Sequence, residues 1–395
     1  MRVHMPSGTP TRSTRWLHTG GAPARFAGVA LLAACQTFFG GCGDPIVSDA
    51  GGLRVIRTFG EVGTAPGQLS YPRAMDSTSD GRLVVIDKTA RIQVIDPTDG
   101  SLLGGFRPPD WSQGRPTGLT VGPHPFEADR QAGREALWVA DTHYHRVLVY
   151  DLESAISADI ETRPEPLLSF GSYGREPGQL IYPTDVAVAI DADGGVLAYV
   201  SEYGGNDRVT RFKIAADGSA TPEFAFGGFG HAHEDGLVFH RPQSLLWDEA
   251  RRELVVADSG NHRVGRFTPE GELLAWMGSP ETAGEGPGSF FYPRGVELLS
   301  DGTLLVAEFG GNRLQRVDLH AGESLGVFGE PGRGLGQLAT PWGVVLIGGD
   351  ADAGEVAVLD SGNNRLHITR VESFLVVRDV ATAVAMDEPA LGGGG

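Results

Sequence analysis

Lysine and cysteine are scarce in this sequence, and each shortage excludes a kind of chemistry. The 395 residues include two lysines, Lys88 and Lys213, and two cysteines, Cys35 and Cys42. A lysine Schiff base therefore has few candidates. Both cysteines lie at the end of the N-terminal apolar segment, so the rest of the chain has neither a disulfide framework nor a thiolate metal site.

Basic side chains are also few once the N-terminal segment is set aside. Residues 1–41 hold four arginines and no acidic residue. Without them, 28 basic side chains stand against 50 acidic ones, which gives a net charge of −22. A surface that negative repels phosphate backbones, so the composition argues against nucleic acid as a partner.

The N-terminus has the layout of an export signal. A basic stretch over residues 1–25 precedes the apolar run Phe26–Ala34, which is too short to span a bilayer. Leu32-Ala33-Ala34-Cys35 resembles a bacterial lipobox, and Gly40-Gly41-Cys42 is a second candidate directly before a polar stretch. We expect residues 1–41 to be a signal and lipobox region, with Cys35 or Cys42 lipidated. An ordinary cleaved signal is the alternative.

Six segments of the chain share one order of features. Each has a proline, then an apolar run that ends in a carboxylate, then an arginine four to six residues later. The arginines recur at intervals of 50 to 62 residues. The carboxylate and arginine pairs are Asp87 and Arg91, Asp141 and Arg146, Glu202 and Arg208, Asp258 and Arg263, Glu308 and Arg313, and Asp360 and Arg365.

Each copy of this unit predicts four antiparallel strands. The run after the proline and the run before the carboxylate are short and apolar, and glycine and asparagine fill the gap before the arginine, as in a hairpin turn. The 58 glycines are spread along the chain, as turns between many short strands require. The sequence therefore predicts an all-β, six-bladed propeller of four-stranded antiparallel blades.

The repeat resembles the NHL repeat. Ala257–Val264 reads ADSGNHRV, which is nearly the consensus of that family, and Pro66-Gly67-Gln68-Leu69 matches its spacer. The resemblance covers about residues 53–370 and implies a six-bladed β-propeller. The second copy departs from the pattern, because it lacks the spacer and inserts residues 124–136.

Ring closure has two candidate strands. Leu53–Gly60 ends in Phe-Gly, as the fourth strands of other copies do, and precedes the first copy. Phe374–Asp379 is the rival. We expect the N-terminal segment to complete the last blade, with residues 42–52 as a linker, 53–380 as the propeller and 381–395 as a disordered glycine-rich tail.

The repeated carboxylates and arginines are predicted to be structural. A residue needed once for chemistry has no reason to occur six times, whereas a carboxylate can accept backbone N–H groups in each hairpin turn and pair with the arginine. Histidines suggest no metal site either, although His231, His233 and His240 lie close in sequence. We therefore predict no metal and no cofactor, the alternative being a Ca or Zn ion at the channel.

Pro183–Val188 is similar to a segment of peptidyl-hydroxyglycine lyase, an enzyme of the same propeller type. In that family a histidine follows the proline in three blades and binds zinc. None of the six equivalent residues here is a histidine, so the zinc site does not carry over. They are Arg73, Thr117, Thr184, Gln243, Arg294 and Trp342.

These six residues are the candidate binding site. The innermost strand of each blade borders the central channel, so its first residues form a ring at one mouth, suited to an anionic or sugar-like ligand. We expect a non-catalytic binding or scaffolding propeller, monomeric and anchored through its lipid at the outer membrane or the periplasm-facing envelope, with a protein, peptide or sugar-like partner. The alternatives are a hydrated mouth without function and a hydrolase or lyase that acts at the channel with a divalent cation.

Overall fold

The computed structural model describes residues 52–157, 159–160, 162–347 and 354–374. Over this part the predicted fold is confirmed, with six four-stranded antiparallel sheets. The first strands of the six sheets are neighbours in a closed ring and surround a central channel. Cys35 and Cys42 lie outside the described residues, as does the tail over 381–395. No helix in the described ranges is long and apolar enough to cross a membrane.

The strands follow the repeats in order, four to a blade. The first blade has β2 Pro72–Ser77, β3 Leu83–Asp87, β4 Ile92–Ile95 and β5 Leu102–Phe106. The second has β6 Gly118–Pro123, β7 Glu135–Asp141, β8 Arg146–Asp151 and β9 Leu168–Phe170. The third has β10 Pro183–Ile190, β11 Val196–Glu202, β12 Arg208–Ile214 and β13 Ala220–Phe226. The fourth blade has β14 Pro242–Asp248, β15 Glu253–Asp258, β16 Arg263–Phe267 and β17 Leu273–Met277. The fifth has β18 Pro293–Leu298, β19 Leu304–Glu308, β20 Arg313–Asp318 and β21 Glu323–Phe328. The sixth has β24 Gly343–Ile347, β25 Glu355–Asp360 and β26 Arg365–Arg370, and its outer strand is β1 Arg57–Phe59. A short parallel pair, β22 Glu330–Pro331 and β23 Gln337–Leu338, links the fifth and sixth blades.

The core is divided among the blade interfaces. Six clusters of buried apolar side chains lie between neighbouring blades, one at each interface. The second strands supply much of this core because they are buried on both faces, as the fully buried β3 and β19 show. This explains why their sequences are continuous β-branched and aliphatic runs rather than alternating ones.

The N-terminal strand closes the ring, as the Phe-Gly ending predicted. β1 pairs antiparallel with β26, in a register that places Arg57 opposite Ile368 and Phe59 opposite Leu366. Leu53, just before β1, is buried with Phe374 in the cluster between the fifth and sixth blades. Of the rival segment, Phe374 ends a short 3₁₀ helix that begins at Val371, and the remainder lies outside the described residues.

The second blade differs where its sequence departs from the repeat. The insertion forms a short helix, α1 (Glu127–Gln131), and a second helix, α2 (Leu152–Ile156), follows β8. The side chain of Asp151 caps α2 by accepting the backbone N–H of Ser154 at 2.9 Å. Apolar residues of α2 are buried against Phe106 of the first blade, so this helix covers the interface between the first two blades.

A set of hydrogen bonds links neighbouring blades at the channel mouth. In five blades the residue before the proline has a positive φ of 43° to 55°, which is costly before a proline. Its backbone N–H is accepted by a side chain from the hairpin of the preceding blade, at 2.6–3.1 Å; we call this bond the latch. The latches join Tyr71 to Asn364, Tyr182 to His145, Arg241 to Asp207, Tyr292 to His262 and Thr340 to Asn312.

Candidate functional site

The repeated carboxylate and arginine pairs form six ion pairs, one in each blade. Five of them join the arginine Nε to a carboxylate oxygen at 2.5–2.9 Å, and the sixth joins Asp87 to Nη2 of Arg91. All six carboxylate side chains are buried. Five of the arginines also donate to backbone carbonyls of the loop before the inner strand, as Arg263 does to Val238 at 2.7 Å.

The carboxylates accept backbone hydrogen bonds mainly from the segment before the proline, whereas we expected them to accept mainly from the hairpin turn. In five blades an oxygen accepts the backbone N–H of the residue two positions before the proline, as Asp258 does from His240 at 2.7 Å. The turn needs less help, because its own carbonyls accept its N–H groups, as Ser259 does from His262. Asp141 is the exception, and its Oδ1 has no partner among the described residues.

Five of the six ring residues line one cavity in the central channel, with a volume of about 270 Å³. They are Arg73, Thr117, Gln243, Arg294 and Trp342. The sixth, Thr184, is turned away into the protein. Its hydroxyl donates to the carbonyl of Pro242 at 2.6 Å and lies 2.7 Å from Oγ of Ser201, which leaves the side chain 2% exposed.

Arg294 is held in place by two aromatic rings and an amide. Its guanidinium carbon lies 3.9 Å from the ring centroid of Trp342 and 4.3 Å from that of Phe309. One Nη donates to Oε1 of Gln243. Contacts of this kind fix the plane of the guanidinium, so its remaining N–H groups point in defined directions before a ligand arrives.

Three further arginines repel Arg294 or each other at the mouth. Arg73 and Arg241 both act on Arg294, and Arg115 acts on Arg73. Burial, followed by this repulsion, lowers the pKa of Arg294 to about 10, so the group stays protonated at neutral pH. None of these four arginines makes an ion pair within the ranges that the structure describes, and the Nε atoms of Arg73, Arg115 and Arg294 are buried without a partner there.

Below the arginines, the same cavity is lined by three carboxylates that our sequence analysis missed: Asp76, Asp185 and Glu297. Burial is the main cause that raises the pKa of Asp76 and of Asp185 to about 7, and it raises the pKa of Glu297 as well. The sequence could have identified them, because acidic residues are unexpected in strands that lie in a protein core.

Two of these carboxylates accept a backbone N–H of the next blade. Asp76 accepts from Val121 at 2.7 Å, and Asp185 accepts from Leu245 at 2.9 Å. The backbone of Leu346 in the sixth blade lowers the pKa of Glu297, against the larger effect of burial. The three acids belong to the first, third and fifth blades, and Asp76 and Asp185 tie their blades to the blades that follow.

The histidines considered as metal ligands lie near one another but not as a metal site. The ring centroids of His231 and His240 are 4.9 Å apart, and those of His231 and His233 are 5.8 Å apart. Within the described part of the chain, no group of three His, Cys, Asp or Glu side chains converges as metal ligands would.

Aromatic side chains surround part of the mouth. Tyr173 and Phe229 are 68% and 53% exposed on loops that lead into the third and fourth blades. Between them Tyr182 stacks on Tyr203 at 5.3 Å, and Arg241 lies 5.1 Å from the Tyr203 ring. These aromatic side chains add an apolar contact surface on the same face as the arginines.

Comparisons with known proteins show the fold alone. No protein-family model and no curated protein matches the chain. A solved protein of unknown function from Bacteroides thetaiotaomicron is 16% identical, with a TM-score of 0.50 over 76% of this chain and 70% of that chain. A streptogramin B lyase is 16% identical (TM-score 0.48; 78% and 84% covered), and virginiamycin B lyase from Staphylococcus aureus is 14% identical (TM-score 0.46; 78% and 82% covered).

Proposed function

We propose that this chain is a binding propeller that holds an anionic ligand at the arginine-lined mouth of its central channel. The observation that carries the proposal is the group of four mouth arginines, Arg73, Arg115, Arg241 and Arg294, which make no ion pair among the described residues. The chain as a whole is strongly acidic, so positive charge concentrated at one opening is a local property of this site.

The arrangement costs free energy without a ligand. Partly buried cations that repel one another, with buried Nε–H groups left unpaired, are destabilising, and an anion would supply the missing acceptors. Other arginines of the propeller, such as Arg266 with Glu253, are paired with carboxylates in the ordinary way. A guanidinium preorganised between two rings also binds with less loss of side-chain entropy.

The test is a calorimetric titration of the purified protein with a simple carboxylate, citrate, at low ionic strength. Arg294→Gln keeps much of the side-chain bulk but removes the charge, and we expect it to weaken binding by roughly 10- to 100-fold, as loss of a charged hydrogen bond implies. The control is Arg251→Gln, because Arg251 pairs with Asp248 and does not line the cavity.

Removal of Arg294 should leave the fold intact, because the variant relieves repulsion at the mouth. A normal melting temperature with weakened citrate binding supports the proposal. Equal affinity in the wild type and both variants, or no binding of citrate to the wild type, would contradict it.

We also propose that this propeller is displayed at the bacterial cell envelope through a lipid on Cys35 or Cys42. The support is the basic stretch, the short apolar run and the two lipobox-like sequences. The several acyl chains of a bacterial lipoprotein would hold it firmly at a membrane. On this proposal the mouth faces the periplasm or the exterior, where small anionic ligands are accessible.

A further inference from the structure

We propose that the ligand is an extended zwitterion, whose carboxylate binds the mouth arginines and whose ammonium group binds Asp76, Asp185 and Glu297 deeper in the channel. This inference rests on the proposed function, since it uses the same cavity. It adds the chemical class of the ligand and its orientation.

Arginines and carboxylic acids without an ion-pair partner line the same cavity. The three carboxylates make no ion pair among the described residues, and neither do the arginines above them. The protein accommodates both sets within about 270 Å³ but does not pair them with each other. A ligand with one anionic and one cationic end would neutralise both sets at once.

The strand geometry sets the spacing between the two charged layers. Arg73 and Asp76 are three residues apart on β2, and Arg294 and Glu297 are three residues apart on β18. A strand rises about 3.3 Å per residue, and the pairing irregularity at the start of both strands takes up part of this rise, so the two layers are separated by less than about 10 Å between Cα atoms. An α-amino acid carries both charged groups on one carbon and is too short to reach both layers, whereas an ω-amino acid or a dipeptide is long enough.

Between the two layers the channel wall is formed by small residues. A Cβ atom on Gly118 would lie 2.2 Å from the carbonyl oxygen of Thr184, and one on Gly295 would lie 2.6 Å from the Cα atom of Gly343. Both glycines line the cavity and allow the inner strands to approach closely. The close approach of these strands keeps the passage narrow, which suits a methylene chain or a peptide unit.

The acids keep free acceptor capacity for an ammonium group. Asp76 accepts two backbone N–H groups, from Ser77 and Val121, both at 2.7 Å, and a carboxylate has about four lone-pair sites. Since the pKa of Asp76 and of Asp185 is raised to about 7, titrations belong at about pH 8, where both are mostly ionised.

The experiment compares four probes by calorimetry: 5-aminopentanoate, pentanoate, glycine and acetate. We expect 5-aminopentanoate to bind at least about tenfold more tightly than pentanoate, which lacks the ammonium group. Glycine should gain nothing over acetate because it is too short. Asp76→Asn should remove most of the advantage of 5-aminopentanoate while pentanoate binds as before, since an asparagine oxygen can still accept the Val121 N–H.

The outcomes separate this inference from the proposed function. If pentanoate and 5-aminopentanoate bind the wild type equally, the zwitterion is refuted and the anion site stands. If neither binds and citrate also fails, both proposals fall. Should Asp76→Asn not fold, Asp185→Asn gives the same comparison, because its amide oxygen can accept the Leu245 N–H. An unchanged preference in a folded variant overturns the assigned role of the carboxylates.

Discussion

Replacement of Asp258 by alanine should destabilise the propeller without touching the channel. The side chain is 0% exposed and accepts three hydrogen bonds: from His240 N at 2.7 Å, from Asn261 Nδ2 at 2.8 Å and from Arg263 Nε at 2.9 Å. Alanine leaves all three donors without their acceptor, and the Arg263 side chain is only 9% exposed.

The expected cost can be worked from these contacts. Breaking a buried ion pair by removing one partner costs about 3–5 kcal/mol, and water that enters the vacated space recovers part of the cost of the two neutral donors. We therefore expect the free energy of unfolding to fall by about 3–5 kcal/mol. At roughly 2 °C per kcal/mol for a domain of this size, the melting temperature should fall by about 6–10 °C.

Asp141→Ala is the matched control in the second blade. Asp141 occupies the same position, but it accepts from Arg146 alone, and Arg146 keeps a second carboxylate partner, Asp110, at 3.0 Å. We expect a loss of about 1–2 kcal/mol. Urea unfolding of both variants, followed by far-ultraviolet circular dichroism, measures the difference. A loss for Asp141→Ala as large as that for Asp258→Ala would refute the reasoning.

Three other predictions follow from closure, burial and the N-terminal sequence. Deletion of residues 53–60 should destabilise the whole propeller, because β26 loses its partner strand and the sixth blade exposes an edge; removal of residues 387–395 should change the melting temperature little. Because the pKa of Asp185 is raised to about 7 in the folded protein, its contribution to stability is present below about pH 4 and is lost as the pH rises through about 7. Between about pH 5 and pH 8 the melting temperature should therefore fall more in the wild type than in Asp185→Asn. If Cys35 or Cys42 is lipidated, the wild type should partition into detergent and the double alanine variant should not; a freely soluble wild type with both cysteines intact contradicts the lipoprotein proposal.

The repeat made the fold predictable. A proline, a carboxylate and an arginine that recur six times at similar spacing are compatible with few architectures, and the Phe-Gly ending of Leu53–Gly60 identifies the closing strand. Such features are local in sequence. They recur because each blade packs against its neighbours through equivalent residues.

The channel was predictable only in part, since side-chain direction depends on details that the repeat does not show. An irregularity in pairing lies between Pro183 and Asp185, and in this blade Asp185 lines the cavity while Thr184 bonds to Pro242. Asp76 and Glu297 lie three positions after their ring arginines, whereas Asp185 directly follows Thr184, so no single offset from the ring identifies all three acids. The latches escaped prediction because they need a left-handed residue before a proline, which sequence statistics disfavour.

The latch is missing from one joint of the ring, between the first and second blades. Ala90 occupies the position that elsewhere supplies the acceptor, and the N–H of Arg115 lies 3.2 Å from Nδ1 of His143 in its own blade instead. The helix α2 holds this interface from outside. At this joint the bond from Val121 to Asp76 and the packing of α2 against Phe106 hold the first two blades together, so a change of the channel acid Asp76 acts on ring closure as well as on the cavity.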